Sequence, residues 1–186
     1  MKLYLGPMTR RDDGTYVFAF PTDKGRLPLM SLKDIGFFAR YTFDNRAAVS
    51  GQDLEVASDI VTLDEVVETF KKVTGKKAVA VHLTIDEWFG LWKNPDHPAA
   101  SEAKIGDGST TWRKSLGGFW NIYRDNILTR DLEWIRKINP NADTIEGWMR
   151  DGDFSGEVDQ NLWKYVEDGH GLIPDWDAIA AKLGKA

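Results

Sequence analysis

The chain contains no cysteine. Disulfides, thiolate metal sites and a cysteine nucleophile are excluded together. Histidine is scarce, and His82, His97 and His170 stand far apart with no metal-ligand spacing. No long block of like charges occurs. The basic residues gather only into pairs such as Arg10–Arg11 and Lys76–Lys77, and the net charge is −5, so a nucleic-acid surface is not expected. No apolar run is long enough for a membrane span, and the first residues lack the apolar core of a signal peptide, so no membrane contact is expected and the cytoplasm is the expected location. Two cofactor signatures are missing as well. There is no G-x-G-x-x-G turn and no phosphate-loop lysine pattern, and none of the five tyrosines has a lysine four residues on. "GDGSTT" (106–111) is the nearest glycine-rich stretch, and it follows a polar loop instead of a strand.

What remains is an ordinary globular composition, 42% hydrophobic and 28% charged over 186 residues, enough to build a real core. The length predicts a single domain over 1–186, with an α/β part (1–93), a loop (94–108) and a helical part (109–186). "TYVFAF" (15–20) reads as a strand after the turn signal Asp12-Asp13-Gly14, and "RLPLM" (26–30) as a second with Pro28 suited to an edge. Ser31 caps a helix in which Asp34 reaches back to the free amides, with Ile35, Phe37, Phe38, Tyr41 and Phe43 as a broad apolar face. "DLEVAS" (53–58) is predicted as a strand. Thr62-x-x-Glu65 and Thr84-x-x-Glu87 are capping boxes that start two further helices, Gly75 stops the first of them, and "KAVAVHL" (77–83) between them reads as a buried strand. Beyond the loop, Ser109 is expected to cap a helix with one apolar face running through Trp112, Leu116, Phe119, Trp120, Tyr123 and Ile127, and continuing, with or without a break near Thr129, through Leu132, Ile135 and Ile138 to a stop at Asn139-Pro140. "TIEGWMRDG" and "WDAIAAKLGKA" are short helices. The fold class is α/β: a short mixed sheet with helices in front, and a mainly helical, tryptophan-rich second half.

All eight tryptophans lie at or beyond position 88: Trp88, Trp92, Trp112, Trp120, Trp134, Trp148, Trp163 and Trp176. Tryptophan combines a large apolar body with one N–H donor, so it suits cores with polar seams and flat ligand pockets alike. Trp88, Trp92, Trp112 and Trp120, with Arg124, are the candidate substrate-binding residues. Tyr123, Arg113 and His82 are the candidate catalytic groups, able to polarise a carbonyl of a bound substrate. Arg113 and Arg124 lie eleven positions apart and so share a helix face, where they either hold an anion or pair with Asp107, Asp125 or Asp131. His82, at a strand end, reads either as a core residue or as a base.

Taken in order, "DGTYVFAFP", "MSLKDIGFFARYTFDNR", "SGQDLEVASD", "TFKKVTGK", "GDGSTTWR", "RDLEWIRKINPN" and "WMRDGDFSG" resemble the NmrA-like family of atypical short-chain dehydrogenase/reductases, and its fungal members above all. The resemblance runs from Asp13 to Trp176 and covers only the later part of that family. It implies an incomplete NmrA-like, Rossmann-type fold: the last sheet strands and the substrate-side lobe, without the glycine-rich half that holds NADP. Asp34 and Gly36 match the family's Asp-Ile-Gly stretch. The expectation that follows is a lobe that binds a small organic molecule and no cofactor by itself, with NADP entering only if another chain supplies a Rossmann half. A homo-oligomer or a partner chain would then cover the exposed sheet surface. A cofactor-independent isomerase or cyclase of secondary metabolism is the alternative, as is a reductase or redox-sensing regulator completed in trans. A shortened gene product fits the same resemblance.

Overall fold

A computed structural model describes residues 6–100, 102–157 and 171–185. Trp163 and His170 lie outside the described residues. Strand β1 (Thr9–Arg10) turns back through Arg11–Gly14 into β2 (Tyr16–Phe20), which pairs antiparallel with β1 and parallel with β5 (Ala78–His82), giving the order β1-β2-β5. The Asp13 carboxylate accepts from the Thr15 backbone N–H and from its hydroxyl, which closes the turn and lowers the Asp13 pKa. Strand β3 (Leu27–Leu29) and β4 (Asp59–Val61) form a separate antiparallel ribbon. Pro28 is tolerated there because each strand of a two-stranded ribbon is an edge.

Eight helices lie among the described residues, the first three interleaved with β4 and β5: α1 (Leu32–Asp44), α2 (Arg46–Val49), α3 (Leu63–Thr74), α4 (Ile85–Phe89), α5 (Trp112–Arg124), α6 (Leu132–Ile138), α7 (Ile145–Asp151) and α8 (Trp176–Leu183). Both capping boxes form as the spacing predicts, at Thr62 with Glu65 and at Thr84 with Glu87. Gly75 ends α3 at φ 70°, a left-handed conformation that glycine takes without a steric cost. Leu63, Val66, Val67 and Phe70 bury one stripe of α3 against the sheet. Phe70 meets the tilted Tyr16 ring at 5.3 Å and Phe18 edge-on at 5.1 Å. Fully burying a side chain of this size contributes about 1.5–3 kcal/mol.

The main core draws on both halves of the chain, from Tyr16 through Trp120 and Met149 to Leu183. A second, smaller core joins Phe38, Ala57 and Ile135, flanked by Met30, Val56, Ile60, Leu132, Trp134 and Ile138. The two cores explain several departures from the sequence reading. Residues 53–58 form no strand; Val56 and Ala57 pack on Phe38 instead, and pairing with β3 begins at Asp59. On α1 only Asp34 and Phe38 are buried, while Leu32, Ile35, Phe37 and Phe43 are 85, 50, 38 and 80% exposed. Asp34 does not reach back along its own helix. Its buried carboxylate accepts from the Asn139 side chain and the Asp143 backbone N–H, both at 2.9 Å. β5 is also no buried strand: it closes one side of the sheet, and only Ala78 is fully covered.

The helix expected to be capped by Ser109 begins two residues later. Thr111 caps it, accepting from the Lys114 N–H, while the Ser109 N–H donates to Asp107. The helix stops at Arg124, and Ile127, expected on its apolar face, is 66% exposed. The stop has a packing cause. The loop after β2 presses Gly25 onto the end of α5, so closely that a Cβ there would lie 2.6 Å from the Arg124 Cα. Asn126 then takes φ 51° and accepts from the Arg26 N–H, tying the turn back to that loop.

Candidate functional site

In open α/β sheets, ligands bind beyond the carboxyl ends of parallel strands. Here those ends are Phe20 on β2 and His82 on β5. Four of the predicted aromatic positions come from elements that follow or cover them. Trp88 sits on α4 and Trp92 just after it, with ring centroids 5.0 Å apart. Trp120 of α5 meets Trp88 at 5.4 Å and stacks on Phe20 at 5.8 Å with 26° between the planes. Trp88 and Trp120 are buried, while Trp92 and Trp112 are half-buried against the same core. The Trp112 indole N–H is buried and meets no acceptor among the described residues. Phe119 and Tyr123 continue the aromatic surface along α5, 4.7 Å apart. Trp134 and Trp148 pack elsewhere, and Trp176 is half-exposed on α8.

Each predicted polar residue has a definite place. Arg113 clasps Asp96 with two hydrogen bonds, 2.7 and 3.0 Å, and its guanidinium lies 5.0 Å from the Phe89 ring. The hydrogen-bonded pairing holds Asp96 below and Arg113 above their ordinary pKa values. Its backbone N–H donates to Pro95, and that of Trp112 to His97, so the 94–98 segment is laid across the start of α5. The partner of Arg113 is thus Asp96 and none of the three acids suggested by local spacing. Arg124 pairs with its neighbour Asp125 at 2.8 Å, which lowers the Asp125 pKa. His82 is exposed, against the core reading of it, and its Nε2 lies 3.2 Å from Asp64 at the start of α3. Arg113 and Tyr123 stand at opposite ends of α5, about 15 Å apart along the axis. The structure gathers the tryptophans and spreads the three candidate catalytic groups.

One arrangement escaped any local motif. The Lys76 ammonium donates to the Tyr16 phenol oxygen at 3.2 Å, across 60 residues of sequence, and the phenol donates to Glu157 at 2.9 Å. Lys76 also donates to the Ser155 carbonyl, and Arg10 covers the Tyr16 ring at 5.2 Å. Two shallow clefts lie away from the tryptophans. One, of about 460 Å³, is bounded by Lys71, Lys76, Lys77, Ala78 and Val79; the other, of about 310 Å³, by Phe37, Arg40, Tyr41 and Asn45.

A dinucleotide requires free backbone amides at a strand-to-helix turn. Three turns lead from a strand into a helix here. Ser31, Thr62 and Thr84 fill those positions, and each accepts an amide of its own first turn. No glycine stands in any of the three, so none has the glycine-rich form of that turn. Among the described residues no three histidine, aspartate or glutamate side chains come together as a metal site, and no helix is long and apolar enough to cross a membrane.

Comparison with known proteins agrees with this fold. Three structures of NmrA superpose with a TM-score of 0.56 at 15% identity: a double mutant, a monoclinic form described as a negative transcriptional regulator, and a trigonal form in complex with NAD. The match covers 86% of this chain and 49% of theirs, so the chain spans about half the length of NmrA. No curated protein matches the sequence. The NmrA-like family itself matches residues 1–97, the stretch from the chain start through β5 and α4 to the loop that Arg113 pins. By that match, over more than half its length, the chain belongs to the NmrA-like family.

Proposed function

We propose that this chain acts as the substrate-side lobe of an NmrA-type assembly: it holds a small organic molecule against its aromatic surface and docks on a separate chain that carries the dinucleotide. One observation carries the reading. Helix α1 exposes Leu32, Ile35, Phe37 and Phe43, whereas α3 buries its stripe of Leu63, Val66, Val67 and Phe70. Several large apolar side chains left exposed on one helix point to an interaction site. The chain spans half of a fold whose full-length relative was solved with NAD, so a dinucleotide-binding half is the partner of matching chemistry. The ligand's place is supported by Trp88, Trp92 and Trp120 at the carboxyl ends of β2 and β5. The buried N–H of Trp112 adds a donor for a carbonyl or hydroxyl oxygen.

The test is native mass spectrometry of the chain isolated from its own cells, beside variants Leu32→Glu and Phe43→Glu. The expected result is a complex with a second chain that carries NAD or NADP, lost in both variants while each remains folded. Tryptophan fluorescence of the isolated complex should shift when its small-molecule fraction is stripped and restored. A monomer with no added mass, indifferent to both charges, would overturn the reading.

A further inference from the structure

We infer that this chain pairs with a second copy of itself through the open edge of β5, forming one continuous sheet across a two-fold axis. The inference rests on the β5 edge and on α3, and is independent of the α1 surface.

The ladder between β2 and β5 fixes which way each backbone group points. The Tyr16 N–H donates to the Lys77 carbonyl and the Leu83 N–H to the Phe20 carbonyl, in the register Tyr16 to Ala78 through Phe20 to His82. In a parallel ladder the bonded residues of one strand alternate. Lys77, Val79, Val81 and Leu83 therefore serve β2, and the N–H and C=O of Ala78, Ala80 and His82 point the other way. Among the described residues no strand and no side chain meets those groups. The edge has none of the usual protections: no proline, no bulge and no inward charge along Ala78–His82.

An antiparallel copy related by a two-fold axis at Ala80 would set Ala80 against Ala80 and Ala78 against His82, an arrangement of about six backbone hydrogen bonds. The side chains at the seam are alanine and valine, small enough to let the strands close. Charge makes the same choice of partner and direction. Helix α3 flanks the edge, with Asp64 beside His82 at one end and Lys71 bounding the cleft next to Ala78 and Val79 at the other. They lie seven positions apart, about 10 Å along the helix. Reversing one copy brings Asp64, whose side chain is 63% exposed, to the other copy's Lys71 at both ends of the seam. Glu68, near the axis, keeps its own Lys71 at 2.7 Å. Pairing the same two edges in parallel would instead set Asp64 beside Asp64.

Sedimentation velocity of the full chain across a wide concentration range tests this. A dimer is expected. Ala80→Pro removes only an outward N–H, leaves the β2 ladder intact and should weaken the dimer at least about tenfold. Asp64→Lys and Lys71→Glu should each do the same, because each sets like charges at both ends. Mixing those two variants should restore a dimer containing one of each, since every end then pairs opposite charges. That recovery is readable even if Ala80→Pro fails to fold. A monomer at all concentrations would overturn the inference. So would a dimer indifferent to all three changes, or charge variants that do not recover on mixing. Leu32→Glu and Phe43→Glu should leave this dimer intact, which separates its failure from that of the α1 interface.

Discussion

The side-chain amide of Asn139 donates to the carboxylate of Asp34 at 2.9 Å, joining the first turn of α1 to the end of α6 across 105 residues of sequence. Neither group is exposed by more than 4%. The Asp143 N–H supplies the second bond, and the neighbouring Lys33 reaches the Asp143 carboxylate at 2.8 Å. Asp34 thus seats α1 on the second core, and that seating decides which face of α1 is left outward.

Replacing Asp34 by alanine should therefore cost about 3 kcal/mol, because it strands two buried donors as well as losing two charge-assisted bonds. Urea unfolding of Asp34→Ala against the parent measures it. Asp34→Asn, which keeps the shape and one acceptor, should fall between the two. An effect within about 0.5 kcal/mol for both would mean that α1 is held by its apolar contact alone.

The two phenylalanines of α1 should separate stability from association. Phe38→Ala opens a cavity in the second core, at a cost of about 3–4 kcal/mol. Phe43→Ala, at 80% exposure, should leave the unfolding midpoint where it is. Thermal or urea unfolding of both variants decides the matter. Equal losses would show that the outward face is buried in the free chain.

Acid should loosen the joint between α4 and α8. Glu87 closes the capping box at Thr84 and accepts from Lys182 of α8 at 2.8 Å. The Lys182 bond, then the bonds from the Thr84 N–H and hydroxyl, pull the Glu87 pKa from 4.5 to about 2. A carboxyl with a depressed folded-state pKa gives stability that is complete above its unfolded value and is lost as pH falls through the folded one. The stability gap between the parent and Glu87→Gln should be constant above pH 4.5 and close between there and about pH 2. Unfolding midpoints measured along that series would show a flat difference if Glu87 made no such contacts.

Gly25→Ala should destabilise the chain strongly, by about 2–3 kcal/mol or more, since backbone and not a movable side chain occupies the space of the added methyl. Gly36→Ala, open on all sides, should be neutral or slightly stabilising in its helix. Comparing the two by calorimetry controls for the generic effect of the substitution.

These positions also show what local sequence can report. The capping boxes, the Gly75 stop and the strand at Tyr16–Phe20 rest on contacts within a few residues, and each formed where its spacing implied. The role of Asp34 could not be read that way, because its partners lie beyond position 138 and no periodicity links them. Arg113 is similar: three nearby acids were plausible, and the loop folded back to offer Asp96. Residues 53–58 alternate well enough for a strand, yet Phe38 and Ile135 claimed Val56 and Ala57 for a core. The tryptophan grouping was legible as composition and helix spacing. Its position over the ends of β2 and β5 required the parallel pairing, a contact between segments too distant for pattern to show.

That parallel pairing sets a clock on synthesis. β2 is buried at all five positions, and its partner β5 leaves the ribosome about 60 residues later, as the separation of Tyr16 and Lys76 shows. At ordinary translation rates the interval is roughly 3–12 s. Through it, "YVFAF" has, of the strand partners among the described residues, β1 and the neighbouring Met8 N–H to hydrogen-bond with. Among the strands, the fully buried one is thus the one that waits longest for its partner, and its apolar residues stay uncovered on that side until β5 has been made.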